Sequence, residues 1–282
     1  MKITKRSLVG IIGGTGKTGA QFAKLFRKSG CKVLVSGSAT RDRNTDILAS
    51  CNIVLFALPL SHAADLMRLE LKTATRKDQL ILDVSSLKSR EVEAMLASKG
   101  EVIGMHPLFG PSTDPVGESI VLCPGRATAA TMASLRSVLK TMGLCTYVMT
   151  PEEHDTLMST VQVVPHLKSF LMADVLTGLN VDLKRMLSLC TPTYEMEFNT
   201  IARFLDDHPD LYMPILFRNP KTLKILHRMK VLIDAYIRIA EERDLHTAEK
   251  RYRACQSFFR PHLKRARVQS EACIKTLLSL TR

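Results

Sequence analysis

Tryptophan is absent from the 282 residues, and aromatic residues of all kinds make up only 5% of them. That is thin provision for a surface that grips single-stranded nucleic acid by stacking bases on rings. Cysteine spacing is equally uninformative for metal or disulfide chemistry. The seven cysteines are odd in number and no two stand closer than 18 positions, so no CxxC pair or zinc-ligand spacing exists. Free thiols, no metal site and a cytoplasmic location follow as expectations. No run of about 18 apolar residues occurs, which argues against a membrane-spanning helix. The opening MKITKRSLVGIIGG places basic residues before an apolar stretch, but that stretch is short and leads into glycines rather than a small-residue cleavage site. It reads as a first strand, not a signal peptide.

Acidic residues are the other shortfall: 27 Asp+Glu face 40 Lys+Arg, a formal net charge of +13. A basic surface is what phosphate neutralisation requires. Yet residues 201–282, with 17 Lys+Arg against 9 Asp+Glu, scatter their charges along helical patterns instead of gathering them in a tail. A small polyanionic ligand fits this better than nucleic acid, and neither nucleic acid nor a membrane is an expected partner. The remaining composition, 45% hydrophobic and 24% charged, is that of a globular chain. Its length suggests two domains.

The first half alternates short β-branched apolar runs with amphipathic stretches, the pattern of a parallel sheet covered by helices. Candidate strands are LVGII (8–12), KVLVS (32–36), IVLFAL (53–58), QLILDV (79–84), VIGM (102–105) and SIVLC from Ser119. Near residue 150 the texture changes. Thr150, Pro151 and Glu153 form a capping box that opens a helix, and no convincing strand follows. Helical stripes take over: Leu223, Leu226, Met229, Ile233, Ile237 and Ala240, then Ala248, Tyr252, Cys255 and Phe259. The expected fold is α/β, a Rossmann-like doubly wound sheet over 1–150 followed by an all-helical dimerisation domain over 151–282. So many stripes in so short a helical domain predict a homodimer.

Between the first strand and an amphipathic helix ending at Gly30 lies Gly14-Thr15-Gly16-Lys17-Thr18-Gly19. In that context GxGxxG is a dinucleotide fingerprint, its glycines serving a tight turn, close approach to pyrophosphate, and helix packing. The helix N-terminus supplies N–H groups to the phosphates. A nucleotide-hydrolase phosphate loop would need glycine at position 11, which is isoleucine. No carboxylate ends the second strand; Ser36, Ser38, Arg41 and Arg43 stand there instead. Hydroxyls and guanidinium groups suit a 2′-phosphate, so NADP is expected over NAD.

Ligands of open parallel sheets bind beyond the carboxyl ends of the strands. Two polar clusters fall there, Asp83-Val84-Ser85-Ser86-Leu87-Lys88 and His106-Pro107-Leu108-Phe109-Gly110-Pro111. A hydride-transfer site needs a base on the substrate hydroxyl, and histidine titrates in the useful range. Gln162 and His166 stand four apart, on one helical face, with Pro165 set to bend that helix. Arg203 lies opposite the stripe Tyr194, Phe198, Ile201 and Leu205. His154 suits either a pocket or a cap-region role, and Tyr212 a core position.

GGTGKTG, DVSSLKS, GMHPLFGP, EEHD, QVVPH and TPTYEMEFNTIARFLDDHPDLY, in that order, resemble the prephenate dehydrogenase family of tyrosine biosynthesis. The C-terminal part is similar to the dehydrogenase portion of the bacterial chorismate mutase/prephenate dehydrogenase fusion. With the first strand beginning almost at Met1, no mutase activity is expected. The resemblance implies oxidative decarboxylation of prephenate with NAD(P), or of arogenate or an amino-substituted prephenate. It implies His106 as the acceptor of the C4 hydroxyl proton and Ser86 as a bond to that hydroxyl or to the imidazole. It further implies Lys88 near the ring carboxylate, Arg203 on a substrate carboxylate, and His166 with Gln162 lining the pocket. A dinucleotide-sensing regulator without turnover is the reading from another class.

Overall fold

A computed structural model describes residues 1–4, 6–72 and 75–281, the last as backbone only. Contacts divide it into two compact units, residues 1–163 with 210–220, and residues 164–209 with 221–282.

The first unit is built on seven strands: β1 (Leu8–Ile12), β2 (Lys32–Ser36), β3 (Ile53–Phe56), β4 (Leu80–Asp83), β5 (Glu101–Pro107), β6 (Ser119–Arg126) and β7 (Cys145–Val148). They form one sheet in the order β2-β1-β3-β4-β5-β6-β7. Side-chain alternation sorts the buried residues onto two faces. On one, Ile53, Leu55, Ile103 and Met105 pack with Phe22 and Phe26 of α1 (Lys17–Lys28) and Leu135 and Leu139 of α5 (Ala129–Thr141). On the other, Val54, Phe56 and Val102 pack with α2 (Asn44–Ser50), α3 (Ala63–Leu71) and α4 (Ser89–Met95) through Leu48, Met67 and Met95. Helices on both faces make the sheet doubly wound.

Two features depart from the sequence expectation. The sheet is mixed, because β5 and β6 pair antiparallel. Residues 108–118 between them contain no helix, and a connection without a crossover helix returns the chain alongside itself. The strand β7, parallel to β6, was not expected. Its signal is Thr146-Tyr147-Val148, a β-favouring triplet shortly after Gly143, which turns the chain at φ +88.

The helix α6 (Pro151–Met158) opens with the expected capping box: Thr150 Oγ1 accepts from Glu153 N at 3.1 Å and Glu153 Oε2 from Thr150 N at 2.8 Å. It packs on β6 and α4, so the compact unit runs to 163, beyond the expected division at 150. Segment 210–220 joins this unit through α10 (Pro209–Arg218): Ile215 clusters with Leu60 and Leu87, and Arg218 Nη1 donates to the Leu60 carbonyl at 3.1 Å.

The second unit is helical: α7 (Val164–Gly178), α8 (Leu183–Ser188), α9 (Pro192–Asp206), α11 (Thr222–Glu242), α12 (Leu245–Phe259) and α13 (Leu263–Thr281). Among the described residues no helix is long and apolar enough to cross a membrane. All seven cysteines are unpaired.

Candidate active site

The turn from β1 to α1 is shaped by glycine. Gly13 takes φ +84, and a Cβ there would stand 2.1 Å from the Ala57 carbonyl oxygen. The left-handed turn therefore belongs to Gly13, one residue ahead of the motif read from sequence. A Cβ on Gly19 would meet the Gly13 oxygen at 2.3 Å, so that glycine lets α1 sit against the turn. Gly16 has open space beyond a 3.4 Å contact. It precedes α1 in extended conformation without a side-chain cap, leaving the leading N–H groups of the helix to a ligand. Thr15 and Lys17 are exposed beside it and Thr18 is half-buried. This cradle fits a pyrophosphate.

Beyond β2, the expected contacts divide. Ser36 is fully buried; its hydroxyl donates to Asn44 Oδ1 at 2.6 Å and its carbonyl accepts from Gly13 and Gly14 N. It supports the glycine turn from beneath and is no contact for a cofactor, a correction to the sequence reading. Ser38, Arg41 and Arg43 lie on an exposed 3-10 turn. A carboxylate does arrive there, from α3: Glu70 Oε1 accepts from Arg41 Nε at 3.3 Å and from Asn44 Nδ2 at 3.2 Å. Sequence distance hid it.

At the ends of β4 and β5, buried polar groups form one network. His106 is 3% exposed, and its Nδ1 lies 2.8 Å from His154 Nε2. His154 Nδ1 lies 2.8 Å from Asp155 Oδ1. That carboxylate also accepts from Lys88 N and Ser89 N, each at 2.9 Å. Gln162 Nε2 stands 3.4 Å from His106 Nε2. Burial pushes Asp155 up, but the bonds from His154, Ser89 and Lys88 outweigh it and leave the carboxyl below its ordinary range. Burial, then the neighbouring His154 and Lys88, holds His106 well below the usual imidazole range. His154 is lowered by burial, against the opposing pull of Asp155.

Lys88 corrects a second expectation. Its side chain is fully buried, with Nζ bonded to Asp83 Oδ1 at 2.7 Å, Asp83 Oδ2 at 2.5 Å and the Met105 carbonyl at 2.8 Å. An ammonium committed to three acceptors inside the fold does not reach a ring carboxylate. Lys88 instead ties the loop after β4 to β5. Gly104 makes room for it, since a Cβ there would stand 2.9 Å from Lys88 Cδ. Ser86, in the same loop, is half-buried.

Gln162 sits on a π turn, Ser159–Val163. Pro165, lacking an N–H, cannot bond the carbonyl four residues back, and the helix loosens ahead of it instead of merely bending. Within the second unit, His166 stacks on Phe204 with ring centroids 5.6 Å apart, and burial lowers its pKa. Arg203 is exposed on α9 while Ile201 and Phe204 are buried; Leu205, expected on the packed stripe, is exposed. Tyr212 is half-buried on α10, in the first unit.

Two family models match the chain: the prephenate dehydrogenase nucleotide-binding domain over residues 27–148 and the prephenate dehydrogenase dimerization domain over residues 150–250. The chain belongs to the prephenate dehydrogenase family. It is an oxidoreductase of the prephenate/arogenate dehydrogenase class. The glycine turn at 13–19 precedes the matched range, so its assignment rests on the geometry above. Over 94% of its length the chain is 27% identical to the T-protein of Enterobacter agglomerans. It spans 62% to 71% of the length of three curated relatives it matches. Two solved structures share the fold: prephenate dehydrogenase from A. aeolicus, in complex with hydroxyphenyl propionate and NAD+ (TM-score 0.70, 19% identity, 97% of this chain and 99% of that one), and Synechocystis arogenate dehydrogenase (TM-score 0.66, 20% identity, 89% and 99%).

Proposed function

We propose that this prephenate dehydrogenase family member oxidatively decarboxylates prephenate to 4-hydroxyphenylpyruvate, with NADP preferred over NAD. The observation that carries the reading is a buried histidine, His106, at the carboxyl end of β5, backed by His154 and Asp155. Gly13, Gly14, Gly16 and Gly19, with Thr15, Lys17 and Thr18, would hold the cofactor pyrophosphate. When bound, the nicotinamide supplies the hydride acceptor for substrate C4. His106 Nε2 accepts the C4 hydroxyl proton, and Ser86 bonds the same hydroxyl. In the first unit Gln162 is assigned to substrate contact; in the second, the family resemblance assigns Arg203 to a substrate carboxylate by paired hydrogen bonds and His166 to substrate contact. Loss of carbon dioxide leaves an aromatic ring, so the protein needs to orient the substrate and manage one proton.

The exposed Ser38 and Arg43 after β2 favour a 2′-phosphate, with Arg41 beside them paired to Glu70. We further infer that the chain works as a homodimer. The deciding assay supplies prephenate or arogenate with each cofactor and follows the absorbance of reduced nicotinamide. His106→Asn should lower kcat by at least about a hundredfold with modest change in KM. Arg203→Ala should mainly raise KM, by roughly 2–5 kcal/mol of lost charge pairing. Near-normal turnover in the histidine variant would remove the base assignment, and a clear preference for NAD would reverse the cofactor reading.

A further inference from the structure

Three side chains stand in line behind the proposed base. Asp155 is 2% exposed, His154 is fully buried and His106 is 3% exposed, so bulk water does not rearrange their protons. The directions of the two bonds between them follow from the chemistry of one end. An ionised carboxylate only accepts. Asp155 is kept ionised and fixed in orientation by the Lys88 and Ser89 amides, so the 2.8 Å contact with His154 Nδ1 is an N–H donated by the imidazole. Neutral His154 then presents a lone pair at Nε2. Two lone pairs do not face each other at 2.8 Å, so His106 Nδ1 carries the hydrogen in the next bond.

We propose that Asp155, acting through His154, fixes the proton of His106 on Nδ1 and thereby keeps Nε2 as the bare nitrogen that receives the substrate hydroxyl. His154 and Asp155 are positioning residues that touch no substrate. The opposite tautomer would place a hydrogen on the atom that must accept one. The charged and titratable groups acting on the pair are Asp83 at the end of β4, Lys88 in the loop after it and Asp155 on α6. Lys88 disfavours a second positive charge, so both rings stay neutral until the substrate proton moves. When it moves, an O–H bond breaks and an Nε2–H bond forms, and the imidazolium already donates toward a histidine anchored on a carboxylate. Asp155 thus joins two tasks, since the same carboxylate pins the start of α4 beside the Ser86 loop.

The inference rests on His106 as the base, and its test is chosen to read the tautomer without turnover. Histidine-selective nitrogen-15 NMR on the full chain should show His106 protonated at Nδ1 and bare at Nε2, the signal being assigned by its loss in His106→Asn. In Asp155→Asn the ionised acceptor that fixes the His154 tautomer is lost, so His106 should no longer hold its proton on Nδ1 alone. In that variant kcat should fall at least about a hundredfold, with KM within about threefold. Asp155 also holds two backbone amides, so His154→Phe provides the second arm, leaving those amides bonded. It should abolish the single His106 tautomer and lower kcat at least about tenfold. A wild-type His106 protonated at Nε2 overturns the proposal. So does a His154→Phe enzyme with unchanged tautomer and kcat. If the tautomer reads as stated but neither prephenate nor arogenate is oxidised, the functional reading fails and the proton assignment stands.

Discussion

Glu91 lies in the first turn of α4 with 2% exposure, and its Oε2 has no hydrogen-bond partner among the described residues. Burial pushes its carboxyl from the ordinary 4.5 up to about 7, against the partial relief given by Lys88. Below pH 4.5 both folded and unfolded chains hold the proton, and the group is neutral to folding. Between 4.5 and 7 the unfolded chain releases it while the folded chain keeps it, so stability declines as pH rises and the full cost is present above 7. That cost is on the order of 3 kcal/mol. Glu91→Gln removes the ionisation at nearly constant shape. Its melting temperature should exceed the parent's by at least about 3 °C at pH 8 and match it near pH 4.5. An equal difference at both pH values would show that packing, not charge, sets the effect.

The helix α6 brings His154 and Asp155 to β5, and its start is secured by the reciprocal Thr150 and Glu153 bonds. Thr150→Ala should cost about 1 kcal/mol in denaturant unfolding. It should also lower kcat more than it raises KM, because the fraying end carries the positioning pair; a stability loss with unchanged kcat would separate the cap from the site. This element was legible in sequence, since a capping box is a local signal four residues long. So were β1, α1 and the glycine turn, whose chemistry is contained in one stretch. The polar network was not. Lys88 and Asp83 are five residues apart, but their pairing depends on Gly104 leaving space in a different strand. His154 reaches His106 across 48 positions, and Asn219 Nδ2 caps the Asp155 carbonyl at 2.9 Å from 64 positions away. Such contacts are set by how layers stack, which periodicity does not encode. The antiparallel turn from β5 to β6 escaped for a related reason: the apolar run of β6 has the same texture in either direction.

At the scale of the whole molecule, the +13 charge exceeds what an anionic cofactor and a dicarboxylate need, and nothing in the structure explains the remainder. The apolar surface is more telling. On α11 much of the stripe read from sequence stays uncovered: Leu223 is 65% exposed, Ile233 54% and Ile237 49%, while Leu226 and Met229 are half-buried. Large contiguous apolar faces on a single chain mark interaction surfaces, and α11 lies inside the 150–250 match to the family's dimerization domain. A second copy of the same chain is the occupant this favours, since a two-fold interface lets one stripe meet itself. Two consequences can be measured. Sedimentation at micromolar concentration should give a dimer, and the melting temperature should rise with protein concentration, because association stabilises only the folded chain. Ile233→Asp with Ile237→Asp should shift the protein to monomer by placing charges in the seam, while leaving the first unit's cofactor affinity within about threefold. A stable monomer in the parent at micromolar concentration would sink the homodimer and leave the α11 stripe to another partner.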